Sequence, residues 1–105
     1  MVGRIESYIH SDSTTPNKGG AMVRVTSQTD FAAKTDEFKV FSKKVAMLAY
    51  AYGAPSAEQA TDSITWPELR RLAGPAGDPL EIERQDLARK LKEVITVDQI
   101  VVMVL

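Results

Sequence analysis

The C-terminal stretch sets the strictest condition on the fold. Residues 95–105, ITVDQIVVMVL, are crowded with β-branched side chains, which pack better on a pleated strand than in a helix. The spacing predicts a strand from Thr96 onward, although Thr96-x-x-Gln99 also matches the spacing of a helix capping box. From Ile100 to Leu105 every residue is apolar, so Val101, Met103 and Leu105 face one way and Ile100, Val102 and Val104 the other. Such a strand needs cover on both faces. A single layer of helices provides only one.

Two more strands are written in alternation. Val2 to His10 places Ile5, Ser7 and Ile9 on one face and Arg4, Glu6, Tyr8 and His10 on the other. The segment SDSTTPNKGG favours turns over ladders and reads as a mobile hairpin loop. Ala21, Val23 and Val25 then alternate with Met22, Arg24 and Thr26, which predicts an antiparallel partner over 20–27. Just past its end Phe31 stands beside Asp30 on a connection, an unusual place for a phenyl ring.

Helices fill the middle of the chain. Phe38, Phe41, Val45, Leu48, Ala49 and Tyr52 recur at spacings of three and four, which predicts a helix over 36–52. Thr35 is placed to cap it, Asp36 and Glu37 suit its positive end, and Gly53 suits a left-handed residue that terminates it. APSAEQATDS reads as a linker. A short extended piece is expected around Ile64 to Trp66, with a helical turn opened by Pro67 and Trp66 in the core. Asp78, Pro79 and Glu81 form a capping-box start for a second main helix, whose apolar stripe is Leu80, Leu87, Leu91 and Val94. The fold class expected is α+β: a three-stranded antiparallel sheet with helices on one face, in the order β-β-α(several)-β.

Composition narrows the function. The 105 residues, 44% hydrophobic and 26% charged, suit one domain over 1–105. A net charge of -1 gives no global basic field, so nucleic acid is not an expected partner. There is no cysteine and one histidine, His10, at a strand end. That removes disulfides, thiol catalysis and thiolate metal sites and leaves no catalytic triad, so neither an enzyme nor a metal or cofactor site is expected. The acidic residues Asp36, Glu37, Glu81 and Glu83 suit helix first turns better than a carboxylate pair. No apolar run approaches the ~20 residues that span a bilayer, and no signal sequence opens the chain. The reading is a soluble, cytoplasmic protein.

Four strings, GRIESYIH at Gly3 to His10, NKGGAMVRV at Asn17 to Val25, TDFAAKTDEF at Thr29 to Phe38 and VAMLAYA at Val45 to Ala51, occur in this order. With the element order, they resemble the core, or dimerisation, domain of bacterial elongation factor Ts. The likeness is specific over the first half; ITWPEL, LEIER and the terminal strand agree in kind and position. In that family the Asp-Phe of the motif protrudes into the nucleotide-binding domain of elongation factor Tu. The resemblance implies that Thr29, Asp30 and Phe31 bind this partner, Phe31 as an apolar wedge and Asp30 as a directed acceptor, and that guanine nucleotide exchange is promoted or modulated. Exchange requires preferential binding to the form of the partner whose nucleotide contacts are disturbed. The family also packs two such sheets face to face, which implies a homodimer through the sheet face of this single unit.

The chain departs from the family pattern too. It opens directly at the first strand and reads as a compact form without the N-terminal helical module. Its hairpin is longer, Ser27 replaces a usual cysteine, and Ala32-Ala33-Lys34 stands where Val-Ala-Arg is usual. Binding therefore carries over more readily than exchange. The alternatives are an exchange-inactive structural or regulatory module of the same fold, and an RNA-associated accessory using Arg24, Lys34, Lys39, Lys43 and Lys44. For Phe31 and Asp30 themselves the plain alternative is cover for the core edge and a turn cap.

Overall fold

The computed structural model describes residues 2–54, 61–74 and 76–105. The order is β1 (Val2–His10), β2 (Gly19–Ser27), α1 (Asp30–Ala33), α2 (Asp36–Gly53), β3 (Thr61–Ile64), α3 (Trp66–Ala73), α4 (Pro79–Leu91) and β4 (Thr96–Val104). The α+β class stands, but the sheet has four strands where three were expected, all antiparallel in the order β1-β2-β4-β3. The extra strand shares only Ile64 with the extended piece expected at Ile64 to Trp66, takes Thr61 to Ser63 from the stretch read as a linker, and pairs with the far edge of β4, while Trp66 already opens α3. Too short to show a period of its own, β3 gains its definition from β4. The helical alternative for the C-terminal segment is excluded. Residues 55–60, within the linker-like stretch, lie outside the described residues.

A bulge explains how β4 meets the core. Val25 pairs with Val97 and Arg24 with Gln99, which leaves Asp98 extra. Side chains three apart normally face opposite ways, yet Val97 and Ile100 are both buried. The added residue resets the alternation, and Asp98 uses its position to hold Arg24 at 2.9 Å.

Helix α2 covers the sheet by the pattern foreseen, with two corrections. Thr35 caps it, its hydroxyl accepting from the Phe38 N–H at 3.3 Å. The buried stripe is Phe38, Phe41, Ser42, Val45, Ala46, Ala49 and Gly53, while Leu48 is half-buried and Tyr52 exposed. Ser42 is satisfied by donating to the Phe38 carbonyl at 2.8 Å. Gly53 does not adopt the left-handed conformation; it remains helical, and Ala54 follows at φ -59. Its small size serves packing instead, because a Cβ there would lie 3.0 Å from Val102 Cγ2.

The α3–α4 corner also departs from expectation. Asp78 makes no side-chain cap. Arg70 of α3 draws its carboxylate away with two hydrogen bonds and holds it below the usual carboxylate range. Glu81 closes no capping box but pairs with Arg84, whose Nη1 donates to the Ile95 carbonyl at 2.8 Å. Val94 lies beyond the helix end and is exposed rather than on its stripe. Trp66 is half-buried, edge-on to Phe41 at the margin of the core. In the hairpin loop Asp12 accepts from the backbone N–H groups of Thr14 and Thr15 and pairs with Lys18.

Strand β1 presents its mixed polar and aromatic face to the helices. Its Tyr8 and His10 face α2, where both rings meet Tyr50, and Ile5 and Ile9 lie on the uncovered side. Tyrosine and histidine carry apolar bodies with polar tips, so they serve at the rim of a core. The polar face of this strand is thus not the one left open.

Candidate functional site

The Thr-Asp-Phe segment is built at the end of β2, where the chain turns into a one-turn helix. Thr29, in extended conformation, caps α1 with its hydroxyl, which accepts from the Ala32 N–H at 3.3 Å. Ala32 and Ala33 are buried, at 1% and 5% exposure, and anchor the turn to the core. Their small side chains let the turn sit close. Phe31 points away from this anchor at 80% exposure. It does not cover the core edge, so that plain alternative fails. The Asp30 carboxylate has no hydrogen-bond or ion-pair partner among the described residues, and the cap that the plain alternative gave it belongs to Thr29.

A second segment holds the tip. Glu93, in the α4–β4 turn, accepts with Oε1 from the backbone N–H groups of Gln28 at 2.9 Å and Thr29 at 3.0 Å. Its other carboxylate oxygen accepts from the Thr29 hydroxyl. Gln28 answers by accepting from the Val94 N–H at 2.9 Å. These bonds, the Thr29 hydroxyl foremost, hold the Glu93 carboxyl below its ordinary range. Thr29, Asp30 and Phe31 are three exposed residues in a row; the hydrogen bonds that Gln28 and Glu93 make beside them had no counterpart among the sequence expectations. Partners 65 positions apart leave no local pattern to read.

The remaining candidates have structural occupations. His10 shares a 2.8 Å hydrogen bond with the Tyr8 hydroxyl and stacks on Tyr50 at 4.9 Å. Lys44 pairs with Glu83, Arg24 with Asp98, and Lys43 donates to the Ser7 carbonyl, so this basic set is largely engaged. Glu37 pairs with Lys90 across α2 and α4. Among the described residues no group of three or more His, Asp or Glu side chains is placed to hold a metal ion, and no helix is long and apolar enough to cross a membrane.

No protein-family model matches the chain. Curated relatives do. It is 32% identical over 92 residues to the chloroplastic elongation factor Ts of Rhodomonas salina, covering 88% of this chain and 37% of that protein. It is 36% identical over 92 residues to the chloroplastic factor of Galdieria sulphuraria, covering 88% and 41%. A shorter match, 51% over 45 residues, covers 43% of this chain and 21% of the elongation factor Ts of Desulfosudis oleivorans. The matches define one class, a translation elongation factor. Over most of its length the chain is homologous, at moderate identity, to the elongation factor Ts family. That family consists of nucleotide exchange factors rather than enzymes. The chain spans well under half the length of these relatives. Two of the three are chloroplastic, so this homology does not by itself mean a bacterial cytoplasm.

Proposed function

We propose that this chain is a single core-domain unit that binds elongation factor Tu through Thr29, Asp30 and Phe31 and modulates its guanine nucleotide exchange. The observation that carries the reading is a phenylalanine 80% exposed on a capped, anchored turn. An exposed phenyl ring gains from burial against a partner, and holding it in place beforehand lowers the cost of binding. Asp30, unpaired among the described residues, keeps its acceptor oxygens for the partner. Exchange follows if the tip binds better to the nucleotide-disturbed form of the GTPase, since linkage then weakens GDP in return. No covalent step is involved.

The open sheet face supports a homodimer. Ile5, Ile9, Met22 and Met103 are 52–61% exposed, and a shallow groove of about 640 Å³ runs among Ile9, Met22, Val101, Met103 and Leu105. Two copies related by a twofold axis would cover each other's groove and present two tips. The compartment is the one that holds elongation factor Tu, the bacterial cytoplasm or a plastid. An exchange-inactive module of the same fold is the second reading, favoured by Ala32-Ala33-Lys34 standing where the family usually has Val-Ala-Arg after the motif.

Release of a fluorescent GDP analogue from bacterial elongation factor Tu separates the readings. Wild type accelerates release and Phe31→Ala does not, if the first holds. Binding without acceleration selects the second, and absence of binding overturns both.

A further inference from the structure

We infer that Glu93, assisted by Gln28, is a positioning residue for the Thr29-Asp30-Phe31 tip, so that the α4–β4 turn is part of the partner-binding apparatus without touching the partner. The inference rests on the reading of the tip as the binding site.

Two facts define the need. First, α1 has only 4 residues, and one helical turn does not sustain itself in water because its nucleation cost is not repaid by propagation. Second, Gln28, Thr29, Asp30 and Phe31 are all exposed, so no apolar burial fixes the chain between the end of β2 and Ala32. Something polar must. Glu93 supplies a charged acceptor to three donors at once: the N–H groups of Gln28 and Thr29 and the Thr29 hydroxyl. Hydrogen bonds to an ionised acceptor are the stronger kind.

The third of these donors transmits the effect. The Thr29 hydroxyl that donates to Glu93 also accepts from the Ala32 N–H. Glu93 therefore orients the group that caps α1, and the cap sets where residues 30 and 31 begin. Gln28 closes the clamp from the other side by accepting from Val94 N–H. Ser27 adds a bond from its hydroxyl to the Thr29 carbonyl at 2.9 Å. The tip is thus bound to a turn distant in sequence, through backbone groups whose positions do not depend on the identity of residue 31.

The test combines amide hydrogen exchange in the free protein with affinity for bacterial elongation factor Tu in its GDP form. Glu93→Ala should speed exchange at the Gln28, Thr29 and Ala32 amides by about tenfold and weaken binding by about tenfold, as ordering the tip becomes a cost of association. Amides of the core strands, such as Val23 and Ile100, should stay protected. Glu93→Gln keeps an acceptor for both backbone N–H groups and should recover most of the protection and affinity. In a Phe31→Ala background, Glu93→Ala should weaken binding by clearly less than it does in wild type.

Unchanged exchange at residues 28, 29 and 32 in Glu93→Ala overturns the inference, as does an equal loss of affinity in the Phe31→Ala background, which would make Glu93 a direct contact. If Phe31→Ala itself binds as tightly as wild type, the partner reading fails and the binding role of Glu93 falls with it. The exchange pattern then still decides whether the clamp orders the tip.

Discussion

The two faces of the sheet are built from the same kinds of residue and have opposite fates. On the helix side Val23, Val25, Ile100 and Val102 are 0–2% exposed. On the other side Ile5, Ile9, Met22 and Met103 are exposed by half or more. Along β4 the contrast runs from one residue to the next, Val102 buried and Met103 open. Apolar content does not distinguish the faces; coverage does. Single exposed apolar side chains are ordinary, but a contiguous set on neighbouring strands marks an interaction surface. The open face also has a polar end, where Arg24 pairs with Asp98, and such a pair can fix register while the apolar end supplies area.

Truncation should separate the faces clearly. Phe38, fully buried under the helix side, should cost about 3–5 kcal/mol as Phe38→Ala, because the lost transfer energy adds to an unfilled cavity. Urea unfolding at low protein concentration measures it. A cost below about 1 kcal/mol would mean that this face is loosely packed and that the contrast is overstated. Phe31→Ala removes the same ring from a position 80% exposed and should change stability by no more than about 0.5 kcal/mol. A multi-kcal loss there would show that the ring is buried in solution and would remove the wedge.

Ile9→Thr keeps a β-branched residue on the open face and should also stay within about 0.5 kcal/mol for the monomer. Its effect should appear in assembly. Sedimentation equilibrium should show self-association in wild type that weakens in Ile9→Thr and is untouched by Phe31→Ala. A wild type that stays monomeric to high micromolar concentration leaves the open face to some other protein and ends the homodimer.

What could be read from the sequence divides by distance along the chain. Local signals held: the Thr35 cap lies next to its helix, and the alternation of β2 needs only β2. The likeness of TDFAAKTDEF to the family implied the candidate site, and the exposure of Phe31 agrees with the role it implies. Failures came where a partner outside the local pattern decided the outcome. Asp78 has the sequence of a cap, but Arg70 binds its carboxylate. Gly53 has the sequence of a terminator, but Val102 approaches it. The alternation of β1 does not say which face is covered, because tyrosine and histidine count as polar in such a pattern, whereas beside Tyr50 their rings act as apolar surface. Glu93 had no local signal at all.

The smallest expected effect lies at the edge of the covered face, where Arg4 Nε donates to Glu6 at 2.9 Å. That hydrogen bond holds the Glu6 carboxyl below its ordinary range. A carboxylate whose folded value is depressed stabilises the fold above its unfolded value and loses that contribution as pH falls through the folded one. The stabilisation should therefore be complete above about pH 5 and fade below about pH 4. Because the pair is partly exposed, with side chains 34% and 19% accessible, water and salt screen it, and the effect should be a small fraction of the Phe38 loss. The measurement is the difference in thermal midpoint between wild type and Glu6→Gln at neutral and at acid pH. It should favour wild type at neutral pH and shrink on acidification. A difference independent of pH would mean that shape rather than charge matters at this edge. A difference that widens in acid would contradict the sign, and the polar side chains of β1 would then contribute to the covered face only as the rings that meet Tyr50.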